Sequence, residues 1–193
     1  MESMETLHQL EEWLGYRFND PELLRSALYH SSYANEHRGM GIASNERLEF
    51  LGDAVLGFVS ADFLYRKHSD LPEGELTRIR AALVCEESLH EVAQSLRLGD
   101  FLLLGKGEES GGGRRRPSIL ADAVEAVLAA VYLDGGIDKA RALIHRILLE
   151  KEQEEVVESR RRDCKTELQE LVQRKPNQVL HYEPVSESGP DHA

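Results

Sequence analysis

The chain has 193 residues, of which 41% are hydrophobic and 30% charged, and a formal net charge of −12. That length supports one well-packed domain with a small appendage, and no apolar run is long enough to cross a bilayer. The negative charge argues against nucleic acid as the partner, since phosphate binding needs cations. Carboxylates clustered around a divalent metal would reverse that argument locally.

The acidic start, MESMETLHQLEEW, fits neither a secretory signal nor a transit peptide. Asp20-Pro21 is a helix start, an N-cap followed by proline at the first helical position, and it leads into PELLRSALYHSSY. Ser44 or Asn45 caps the next helix, which is predicted from about Glu46 to His68. Gly74 to Gln94 reads as mostly helical, with Leu76, Ile79, Arg80 and Leu83 at helical spacing. Arg97 to Leu104 is a short connector, and KGEESGGGRRRPS is a loop by composition. Ser118 caps ILADAVEAVLAAVYLDGG, which stops at Gly135-Gly136, and Asp138 to about Arg161 forms the last helix of the domain.

Past Arg162 the character changes. DCKTELQELVQ is a short amphipathic helix, and LHYEPVSESG reads as the start of a strand and a turn. The expected architecture is an all-α domain over residues 1–155, a charged linker over 156–162, and an incomplete second unit over 163–193. Cys85 and Cys164 stand far apart, with no CxxC and no Cys/His cluster. That fits a reduced, cytoplasmic setting and argues against zinc.

The stretch NERLEFLGDAVLGF carries two patterns at once. Leu48, Leu51, Val55, Phe58 and Val59 form an apolar stripe for the core, while Glu46, Glu49 and Asp53 share another face at offsets of three and four. Gly52 and Gly57 suit the close approach of a neighbouring helix. In ILADAVEAVLAAVYLDGG, Asp122 and Glu125 are again three apart, on a helix of Ala, Val and Leu that should be buried. Acids there are costly unless something positive offsets them, and Asp122 is expected in the first turn after Ser118, where the helix dipole also helps an anion.

The plain alternative is that both pairs are solvated surface charge. Against it, both sit on helices otherwise made of apolar and small residues, and neither has a basic partner four residues on. Converging carboxylates need protons or a cation, and an all-oxygen set suits Mg²⁺ or Mn²⁺. Such a site suits phosphoryl chemistry.

NERLEFLGD, followed by EGELTRIRAALV, ILADAVEA and AAVYLDGG in that order, resembles the ribonuclease III family. The tail DCKTELQELVQ…HYEPVSESGPDH resembles the first helix and first strand of an α+β double-stranded-RNA-binding domain. The resemblance implies a helical nuclease domain that works as a homodimer on double-stranded RNA. Glu49, Asp122 and Glu125 match its metal ligands, Asp53 the acid that helps place the attacking water, and Glu46 and Glu75 acids at the edge of the catalytic valley. Phe50 matches an aromatic that inserts into the partner subunit, where the residues alone equally allow an ordinary core Phe. Gln169 and His192 match contacts to the RNA minor groove. The family also implies 5′-phosphate and 3′-hydroxyl products with a short 3′ overhang, and a part in processing rRNA and mRNA precursors.

Two further features stay open at this level. Arg114, Arg115 and Arg116 form either a basic RNA-contacting loop or a solvated flexible one. The eight histidines show no metal spacing, and none is assigned to the site. A non-catalytic RNA-binding or ribosome-associated protein on the same fold is the competing reading, and the intact acids argue against it. A helical Mg²⁺-diphosphate enzyme would carry an Asp-rich DDxxD run, which this chain lacks.

Overall fold

The structure, a computed structural model, describes residues 4–151. The residues beyond, including the proposed linker, Cys164, Gln169 and His192, lie outside the described part. Within it the fold is helical throughout, as expected: α1 (Met4–Leu14), α2 (Pro21–Ala27), α3 (Ser31–Glu36), α4 (Glu46–Lys67), α5 (Glu73–Leu83), α6 (Glu86–Ser95), α7 (Lys106–Ser110), α8 (Pro117–Gly135) and α9 (Ile137–Ile147). Single 3-10 turns lie between several of them. The only strand-like pairing among the described residues is one isolated bridge between Tyr29 and Leu103.

The central element is α8. From Ile119 to Val131 every residue is buried except Asp122 and Glu125. An evenly apolar helix can be satisfied only by neighbours on all sides, and α8 packs against α4, α6, α9 and α2. Leu56, Leu64, Leu89, Leu128 and Ile144, all fully buried, join these helices in one core. The helix ends where Gly136 adopts φ 80°, a conformation glycine reaches without strain.

Several expectations need correction. Gly74 to Gln94 is two helices, broken where Cys85 turns extended. The Ser88 hydroxyl donates to the Ala82 carbonyl across the bend. Ile79 and Leu83 on one side and Leu89 and Val92 on the other are all buried, so the apolar spacing runs through a bend it cannot report. KGEESGGGRRRPS is not a loop throughout, since it contains α7 and a 3-10 turn at Gly113–Arg115.

The capping of α8 also differs. It begins at Pro117, with Arg116 in the N-cap position and no side-chain cap. Asp122 therefore lies beyond the first turn, and the dipole has little to offer it. Asn45 occupies the N-cap position of α4, but its side chain donates to the Ala27 carbonyl and not to the helix. Phe58 does not belong to the core stripe of α4; it is 56% exposed. A Cβ built on Gly57 meets nothing within 4 Å, so only Gly52 serves a close approach.

Candidate metal centre

The two acidic helices meet at the point the motifs suggest. Gly52 of α4 lies against Glu125 of α8 so closely that a Cβ there would stand 1.9 Å from the Glu125 carbonyl oxygen. Side-chain-free contact at this crossing lets Glu49, one turn earlier on α4, face Asp122 and Glu125. One carboxylate oxygen from each of the three lies within 4.8 Å of the other two. All three residues are partly buried.

The electrostatics follow from that geometry. Burial, then the charges of Asp53, Asp122 and Glu49, raise the Glu125 pKa to about 7. Glu49 is also raised, first by burial and then by Asp122, Glu46 and Asp53. Asp122 is raised by burial and by Glu86, with His30 acting in the opposite direction. Three acids that oppose one another's ionisation, with only oxygen donors converging, form a site that a hard divalent cation would relieve.

Asp53 and Glu46 are exposed on the same helix as Glu49 and act on the cluster through their charge. Glu46 also accepts a hydrogen bond from the Ser44 hydroxyl at 2.7 Å. Glu75 stands partly buried in the first turn of α5, outside the three-acid cluster. Glu86 and His30, which also act on Asp122, carry no signal in the sequence. Glu86 carries no pattern, being one of many first-turn acids. His30 is a lone histidine, with no metal-ligand spacing around it.

Phe50 projects outward and is 80% exposed, which excludes the ordinary core role. The three arginines differ in setting. Arg114 is a structural clamp: Nη1 donates to the carbonyls of Gly99 at 2.6 Å and Leu102 at 2.9 Å, and Nε donates to Glu109 at 2.9 Å. Arg116 pairs with Glu108 at 2.7 Å, while Arg115 is exposed. Neither a free basic loop nor a flexible one describes Arg114.

The family model described as "Ribonuclease-III-like" matches residues 20–152. The chain belongs to the ribonuclease III family. It is 52% identical to Ribonuclease 3 of Carboxydothermus hydrogenoformans over 97% of this chain and 80% of that one. It is 50% identical to Ribonuclease 3 of Pelotomaculum thermopropionicum over 99% and 79%. Among solved structures, the nuclease domain of ribonuclease III from Campylobacter jejuni superposes with a TM-score of 0.68 at 44% identity, covering 76% of this chain and 94% of that one. A second structure of that nuclease domain has the same TM-score and identity, covers 73% and 94%, and describes structural flexibility in a region involved in dimer formation. The protein is therefore a ribonuclease III-type endoribonuclease. Among the described residues no helix is long and apolar enough to cross a membrane.

Proposed function

We propose that this ribonuclease III-type chain hydrolyses phosphodiester bonds in double-stranded RNA with the help of a divalent metal. The products would carry 5′-phosphate and 3′-hydroxyl ends with a short 3′ overhang. The observation that carries the reading is the convergence of Glu49, Asp122 and Glu125 within 4.8 Å, with the Glu125 pKa raised to about 7. These three residues would hold Mg²⁺, for which Mn²⁺ would substitute. Bound there, the cation supplies Lewis acidity that eases ionisation of the attacking water and offsets charge on the leaving oxygen.

The chain's own groups do the positioning. Asp53, one turn beyond Glu49 and exposed, helps place the attacking water, and Glu125 shares in the catalysis. Glu46 and Glu75 line the edge of the valley toward RNA. Gln169 and His192 contact the minor groove from the unit over residues 163–193, joined by the linker at 156–162 to the nuclease domain of residues 1–155.

The working form is a homodimer in which each copy cuts one strand. Support comes from α4, where Phe50, Ala54, Phe58 and Tyr65 are all exposed on one side, Phe50 at 80% and Tyr65 at 76%. So large an apolar face on a single helix invites a partner. The setting is the cytoplasm, where the duplex stems of rRNA, mRNA and tRNA precursors are the substrates. Cys85, a free thiol, fits that compartment.

The test is a gel of duplex and single-stranded RNA incubated with the protein, with Mg²⁺ or with chelator, and mapping of the product ends. Cutting of the duplex alone, only with Mg²⁺, supports the reading. Binding without cutting in Mg²⁺ would favour the non-catalytic alternative.

A further inference from the structure

Tyr29, Tyr33 and His37 follow one another at four-residue spacing along α3, and their rings stack in series. Tyr29 and Tyr33 are parallel within 3°, with centroids 5.6 Å apart, and the His37 ring stacks on Tyr33 at 4.0 Å. The root of this column is fixed by the backbone. Tyr29 bridges Leu103, and its carbonyl accepts the Asn45 N–H at 2.8 Å. The Asn45 carbonyl in turn accepts the Glu49 N–H at 2.9 Å. The column therefore starts at the end of α4 that carries Glu46 and Glu49.

The far end is fixed and open. The Tyr33 carbonyl can only accept, so the 2.9 Å bond from His37 Nδ1 sets a ring proton there and holds the plane of the ring. His37 is only partly buried, and among the described residues no second ring stacks on it. Arg38, Gly39 and Met40 beyond it are exposed, and a Cβ built on Gly39 meets nothing within 4 Å. Arg38 is steadied by Asn35, whose Oδ1 accepts from Nε at 3.3 Å and from Nη2 at 2.9 Å. No carboxylate among the described residues pairs with Arg38, whereas Arg114 and Arg116 are paired with Glu109 and Glu108.

We propose that the column is a stacking platform for an unpaired nucleotide of the RNA substrate, whose base lies on the His37 ring beside the Arg38 cation. A base inside a stem is covered on both faces by its neighbours, so a flat side chain can take only one that has left the stack. Stacking accepts every base, and a cation beside the ring favours the backbone that comes with it. Such a cation matters more in a chain of net charge −12. Because the rings are already ordered, little freedom is lost when the base arrives. The inference rests on the reading of duplex RNA as the substrate.

The test compares a blunt RNA duplex with the same duplex extended at its ends by a few unpaired nucleotides, each bound by the full chain in Ca²⁺. His37→Leu removes the flat ring, and His37→Phe keeps one. The unaltered protein should bind the extended RNA about tenfold more tightly than the blunt one, as for one stacked base. His37→Leu should lose that preference and His37→Phe should retain it, with affinity for the blunt duplex the same in all three. No preference in the unaltered protein, or a preference that survives in His37→Leu, would overturn the proposal. Should the Leu variant not fold, the unaltered protein still decides. With 2-aminopurine placed at each unpaired position in turn, one position must lose fluorescence on binding as its base stacks, and unchanged signals throughout refute the contact. A protein that binds the blunt duplex without any preference fails this contact alone, while one that binds neither RNA also fails the duplex reading.

Discussion

A Cβ on Gly52 would lie 1.9 Å from the carbonyl oxygen of Glu125. No side-chain motion relieves such a contact, because the obstructing atom belongs to the α8 backbone. Gly52→Ala must push α4 and α8 apart at the level where Glu49 meets Glu125. The expected cost is about 3 kcal/mol, the upper range for overpacking. Differential scanning calorimetry should show the loss, and Mn²⁺ affinity should fall with it. A variant with the original melting temperature would mean that the two helices cross elsewhere.

The raised pKa of Glu125 has a sign that thermal melts can check. Its folded-state value of about 7 lies above the ordinary 4.5. Between those values the folded protein holds more protons than the unfolded chain, so stability without metal falls as pH rises through that window. Glu125→Gln removes the charge and keeps the shape. Without metal, it should be more stable than the unaltered protein at about pH 8, by about 1–2 kcal/mol once the partial exposure is discounted, and equally stable below about pH 4.5. Added Mn²⁺ should stabilise the unaltered protein more than the variant. A Gln variant less stable at every pH would show that the carboxylate is a structural anchor.

Phe50 tests the assembly. Its ring is 80% exposed in the single chain, so truncation should leave the monomer's melting behaviour nearly unchanged. In a dimer the same truncation empties an interface core and costs a few kcal/mol. Sedimentation at low micromolar concentration should find Phe50→Ala shifted toward monomer. A variant that remains fully dimeric would assign the interface to other residues.

Ser60 offers a contrasting case within the core. It is 0% exposed on α4, and its hydroxyl has no hydrogen-bond partner. Ser60→Ala removes that unsatisfied group and improves helix propensity by a few tenths of a kcal/mol. The melting temperature should stay level or rise by a few degrees. A marked fall would reveal a partner for the hydroxyl, such as a buried water.

Much of this was legible in the sequence because one-dimensional spacing reports faces of helices. The start of α4 at Glu46 and its end near His68 followed from capping and periodicity, as did the stop of α8 at its two glycines. Glu49, Asp122 and Glu125 stood out because acids on apolar small-residue helices need a reason. Other features depend on the third dimension. Phe58 has the spacing of the buried stripe, and only the packing of α8 leaves it outside. The bend at Cys85 preserves the apolar rhythm and so hides from it. Arg114 looks like a free cation until the carbonyls of Gly99 and Leu102 are brought to it by the fold.

The claim that Glu49, Asp122 and Glu125 form the cutting centre meets its most direct test in single-turnover cleavage of duplex RNA by Glu125→Gln in Mg²⁺. The substitution keeps the shape of the side chain and removes the charge. The expected result is a rate lower by several orders of magnitude, about 10³-fold or more for loss of a metal-binding charge, with duplex binding in Ca²⁺ retained. Cleavage at the unaltered rate would contradict it and remove Glu125 from the chemistry.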